Sequence, residues 1–98
     1  MNRTDRPIVN PIVVLREEFD DWAILFNPDT AVAVGINPVG VAVWKGMDGK
    51  RNLEEIVLEI KAGFEDAPET AFEDITAFVE KLAEDGYVGY ELKTTTND

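Results

Sequence analysis

The chain has 98 residues, room for one domain, and it contains neither cysteine nor histidine. That excludes a disulfide framework, a thiolate nucleophile and Cys-based metal sites, and it removes the commonest general base and transition-metal ligand. Twenty acidic residues against nine basic ones give a net charge of −11, which disfavours nucleic acids and anionic membranes, because phosphate backbones are bound largely through Lys and Arg.

Residues 1–10 and 93–98 are polar or turn-rich and read as flexible termini, leaving one domain at 11–92. No apolar run approaches the ~20 residues that span a bilayer. The polar start leads into no signal-peptide core, so the expected location is the cytoplasm. Residues 12–18 form a β-branched run behind Pro11 and predict a first strand. Phe19-Asp20-Asp21 supplies a turn. Trp22-Ala23-Ile24-Leu25-Phe26 predicts a second strand, stopped by Asn27-Pro28-Asp29. Residues 30–36 predict a third, and the short connections make the three an antiparallel meander. Trp22 and Trp44 each sit among apolar neighbours and read as core.

Asn37-Pro38 looks like a helix N-cap with proline at the first position. The stretch that follows, residues 39–46, is rich in valine and leans towards strand, with Asp48-Gly49 as a possible hairpin turn. The residues alone leave both readings open. Asn52 followed by Glu55 has capping-box spacing, and Leu53, Ile56, Val57 and Ile60 recur at helical intervals up to Gly63. A longer helix is expected from Pro68 to Asp85 with Gly86 as its stop, and residues 87–92 alternate as a closing strand. On that helix Ala71, Phe72, Ile75, Phe78, Val79, Leu82 and Ala83 fall within an arc of about 140°, wider than the ~100° one core face requires. One margin of the stripe is therefore a candidate contact surface.

Three stretches carry a family resemblance. Trp22-Ala23-Ile24-Leu25-Phe26-Asn27-Pro28-Asp29 resembles the tryptophan-led strand and Pro-acidic turn of the PqqD family, the pyrroloquinoline quinone biosynthesis D proteins. Residues 36–56, a short apolar segment ending in Asp48-Gly49 and basic residues before a helix with Glu55-Ile56, look like its central signature. Ile75 to Val88, with Leu82, Asp85, Gly86 and Tyr87, is similar to its closing segment. The resemblance runs from about Pro11 to Tyr90. It implies an α+β, winged helix-turn-helix-like fold: a three-stranded antiparallel sheet followed by three helices and a short C-terminal strand, with residues 38–46 helical.

The same resemblance implies a RiPP recognition element, a non-catalytic domain that binds the leader of a ribosomally made precursor peptide and presents it to a modifying enzyme, often a radical S-adenosylmethionine enzyme. The leader would add a strand to the third strand and push apolar side chains against the last helix. Carried onto this sequence, the peptide-binding residues are Ala31, Val32, Ala33, Val34, Gly35, Ile36, Phe72, Ile75, Phe78, Val79 and Leu82. No cofactor or metal is expected. The physics of strand addition fits: residues 30–36 carry neither the charge nor the proline that normally guards an edge.

Two other classes share some of these features. A winged-helix transcriptional regulator would need a basic recognition helix, whereas the last helix has Lys81 against Glu69, Glu73, Asp74, Glu80, Glu84, Asp85 and the flanking Asp66. An acidic regulatory subunit that binds another protein is compatible with the composition. An enzyme has the least support: Asp20-Asp21, Glu54-Glu55 and Glu73-Asp74 are pairs of the kind that face solvent, and there is no phosphate loop or nucleophile–base set.

Overall fold

Residues 3–64 and 68–90 are described by the structure, a computed structural model. The chain runs β1 (Pro7–Val9), β2 (Val14–Glu17), β3 (Ala23–Asn27), β4 (Val32–Ile36), α1 (Pro38–Gly46), α2 (Leu53–Gly63), α3 (Ala71–Glu84) and β5 (Val88–Tyr90). The expected meander is present as an antiparallel sheet in the order β2-β3-β4. Its strands are shorter than the apolar runs, because the turns take residues from both ends.

Both hairpins use left-handed backbone without glycine. Asp20 and Asp21 have φ of 59° and 65° in the first, and Ala31 has φ of 58° in the second. Asp tolerates this region through local hydrogen bonding, but Ala has no such compensation and its Cβ crowds the backbone. Ala31 therefore ends a four-residue loop rather than starting β4. Its N–H donates to the Asn27 carbonyl at 2.8 Å, while the buried Asn27 side chain accepts from the Asp29 N–H at 3.0 Å. Ala31→Gly should raise stability by about 0.5–1 kcal/mol, the relieved strain less the extra freedom of glycine in the unfolded chain; denaturant melts measure it directly.

The valine-rich stretch is helix, as the family resemblance implies. The Asn37 side chain accepts from the Gly40 N–H at 2.8 Å with Pro38 in the first turn, so the start is fixed locally. The remainder is decided by burial: Val41, Val43 and Trp44 lie in the core with Leu25, Met47, Leu53 and Ile56. Packing outweighs the small strand preference of the valines. In α2 the Asn52–Glu55 capping box is complete, each side chain accepting the other residue's N–H at 2.8 Å. α3 is shorter than expected, starting at Ala71 after a turn at 69–70. It ends as expected: Gly86 has φ of 85° and the Tyr87 N–H reaches back to the Leu82 carbonyl at 2.8 Å.

The amino-terminal segment departs most from expectation. Pro7–Val9 pairs antiparallel with β5, and Pro7 is fully buried. The Arg3 and Asp5 carbonyls accept from Glu54 and Leu53, two of the otherwise unpaired N–H groups at the start of α2. A boundary at residue 11 therefore omits a strand and a helix cap. The expected extension of β5 to residue 92 lies outside the described residues, as does 93–98.

Between α1 and α2 the Asp48 carboxylate accepts from the N–H groups of Lys50 (2.8 Å) and Arg51 (3.0 Å). These bonds, the Lys50 one foremost, hold its pKa below the usual carboxylate value. A lowered folded pKa stabilises the fold above the unfolded value of ~3.9, and that contribution disappears as pH falls through the folded one. Asp48→Asn retains an acceptor but cannot titrate. Thermal melts from pH 6 to pH 2 should show the wild type more stable at the upper end, with the gap closing in acid.

Candidate functional site

β4 is an edge strand, with β3 on one side and no strand on the other among the described residues. Which of its groups face outwards follows from the two hairpins. Glu18 and Trp22 lie in the β2–β3 register and are joined by a direct bond, the Glu18 N–H to the Trp22 carbonyl at 2.8 Å. Hydrogen-bonded and non-hydrogen-bonded pairs alternate along an antiparallel ladder, so Ile24 and Phe26 direct their backbone groups at β2. Ala23, Leu25 and Asn27 then bond to their partners Ile36, Val34 and Val32. Ala33 and Gly35 are left with N–H and C=O aimed at the open edge.

Side chains alternate on the same strand. Ile36 is buried, Val34 half-buried, and Ala33 and Gly35 exposed on the outer face. Val32 is 49% exposed at the start of the strand, where its carbonyl accepts from the buried Tyr87 hydroxyl at 3.2 Å. Where β4 runs into α1, a cleft of ≈ 170 Å³ opens, lined by Asn37, Val39, Gly40, Val43, Asp74, Ile75 and Phe78. Its walls are mostly apolar, with Asp74 near the start of α3. Gly40 keeps it tight: a Cβ there would lie 3.1 Å from Ile36 Cβ and 3.3 Å from Phe78 Cζ. An extended segment laid along β4 thus finds unpaired backbone groups beside it and an apolar recess ahead.

The structure brings together part of the expected set. Val32 to Ile36 form the edge strand, while Ala31 sits in the turn before it. Phe78 is half-buried and walls the cleft, and Ile75 is buried behind it. Val79 and Leu82, at 0% and 3% exposure, are core. Phe72 lies about 120° round the helix from Phe78, on the side facing α2, with the Arg3 guanidinium 4.6 Å from its ring centre. The wide apolar arc of α3 therefore has two separate margins, and only the Phe78 margin borders β4. Asn37, Val39, Gly40 and Asp74 were not expected. Their signal was a glycine three residues past a helix cap, beside a strand end.

A family model described as "Coenzyme PQQ synthesis protein D (PqqD)" matches residues 23–88. The chain belongs to the PqqD family. Among PqqD-family and similar proteins, a "PqqA binding protein" of Rhizobium meliloti (strain 1021) is 33% identical over 60 residues, a stretch spanning 61% of this chain and 59% of that relative. The solved structure "TbiB1 in Complex with the TbiA(beta) Leader Peptide" superposes with a TM-score of 0.70 at 27% identity, covering 87% of this chain and 99% of the other. The heterocyclase TruD contains the same fold, with a TM-score of 0.62 at 14% identity, covering 94% of this chain and 12% of that longer one. No group of acidic side chains suited to a metal ion occurs among the described residues, and no helix among them is long and apolar enough to cross a membrane.

Proposed function

We propose that this PqqD-family domain is a RiPP recognition element: it binds the leader of a precursor peptide as a strand on β4 and presents the peptide to a modifying enzyme, of the radical S-adenosylmethionine class, without itself catalysing a reaction. The observation that carries the reading is the open β4 edge leading into the Phe78 cleft. Main-chain bonds from Ala33 and Gly35 supply affinity, and the recess selects an apolar leader side chain. Likeness to a PqqA binding protein and to a protein solved with a leader peptide supports the same ligand class. The acidic exposed face of α3 speaks against a DNA-reading role, which needs cations on that helix.

The test is a calorimetric titration with synthetic leaders of candidate precursor peptides from the same genome. The expected result is saturable one-to-one binding that a scrambled leader does not reproduce. Equal binding of both peptides, or of neither, overturns the proposal. An anisotropy titration with duplex DNA at physiological salt should show no sequence-specific binding.

A further inference from the structure

Among the described residues, the outer face of the three-stranded sheet is largely apolar and exposed. Alternation buries Ala23, Leu25 and Asn27 and turns Trp22, Ile24 and Phe26 the other way. Across the sheet this makes two rows, Val14–Phe26–Ala33 and Arg16–Ile24–Gly35. Trp22 and Val14 are each 52% exposed and Phe19 is 77% exposed. Trp22 is therefore not a core residue, as its apolar neighbourhood suggested. It helps line a shallow hollow of ≈ 340 Å³ with Phe19, Ile24 and Gly35. A solvent-facing sheet normally carries polar residues here, and a contiguous apolar patch marks a contact surface.

We propose that this face docks the peptide-modifying enzyme, through an apolar surface on that enzyme rimmed by Arg and Lys. Charge and continuity select this occupant. The hairpin tip beside Trp22 carries Glu17, Glu18, Asp20 and Asp21; Glu17 is paired with Lys45 and Glu18 with Arg16, both at 3.1 Å. Asp20 and Asp21 have no ion-pair partner among the described residues, so the rim stays acidic. A symmetric contact with a second copy would set this patch against itself, acid facing acid in a chain of net charge −11. Gly35 belongs both to the hollow and to the open edge. A peptide strand added to β4 would extend this same face with its alternate side chains. An enzyme seated on Trp22 and Phe26 would then lie directly beside its substrate. The inference rests on the peptide-binding reading and adds to it a separate surface.

The experiment places a benzophenone side chain at Phe19 of the full chain in its native cells, identifies the crosslinked protein by mass spectrometry, and purifies it. Its affinity for the wild type and for the double variant Trp22→Ser, Phe26→Ser is then measured at low and high salt, with leader titrations alongside. The expected crosslink is to an enzyme that modifies the precursor peptide. Its affinity should weaken about tenfold or more in the variant and fall with salt in the wild type, while leader affinity stays within about twofold. A crosslink to a second copy, no crosslink, or unchanged enzyme affinity overturns the docking face. So does loss of leader binding in the variant. A wild type that binds no leader overturns the peptide reading itself, and the same titrations reveal it.

Discussion

Ala33→Pro is expected to abolish leader binding while leaving the domain folded. Proline removes one N–H and fixes φ near −65°. At position 33 that N–H faces the open edge, so the bonds between β3 and β4 are untouched, and edge strands are where sheets accept proline. The pairing partner, however, loses one of the outward-facing donors of a five-residue strand, the one at its second residue, and the pyrrolidine ring projects where its backbone must lie. Val34→Pro, one residue on, should do the opposite. Its N–H points at Leu25, a residue with no solvent exposure, so the ladder breaks and the fold is damaged. Circular dichroism with a leader titration on both variants separates the two outcomes. A folded Ala33→Pro protein that binds the leader normally would remove β4 as the docking strand.

The second large effect comes from dividing the apolar arc of α3 between two roles. Leu82→Ala should cost about 2–5 kcal/mol of stability, because the side chain is buried and its loss leaves a cavity. For a small domain with about 5–15 kcal/mol in total, that is a large share. Leader affinity of the molecules still folded should hardly change. Phe78→Ala removes a half-buried cleft wall instead, and should weaken leader binding by about 1–3 kcal/mol, roughly 5- to 150-fold. Urea melts and calorimetry on both variants give the comparison. Equal binding losses would place Leu82 in the groove and contradict its role as core.

The elements that could be read from sequence are those whose signals are local. The Asn52–Glu55 box, the Gly86 stop and the Asn27-Pro28-Asp29 turn each act within a few residues, and each appears where expected. α1 was legible only by resemblance, because what makes Val41, Val43 and Trp44 helical is the core they enter rather than their own preference. β1 was missed because three residues led by a proline become a strand through partners some eighty positions away, Val88, Gly89 and Tyr90. Trp22 was misplaced for a related reason. Its neighbours are apolar, but the alternation of β3 determines its face, and the buried Ala23 and Leu25 take the inner one.

For the site, the edge strand followed from composition: residues 32–36 lack charge and proline, and they do lie at the edge. The helix wall did not. A helical arc shows how much apolar surface there is, not which neighbour covers each margin. Only the packed fold separates Phe72, beside Arg3, from Phe78, beside Gly40.

Amide hydrogen exchange at β4, with and without the leader peptide, tests the central claim most directly. The N–H groups of Ala33 and Gly35 have no partner in the β3–β4 ladder and should exchange quickly in the free protein. With the leader bound as a strand, both should become protected, and the amides at Asn37 and Phe78 should shift as the cleft fills. Leader binding that leaves Ala33 and Gly35 exchanging as before, with protection arising instead along Val14–Glu17 of β2, would contradict the account.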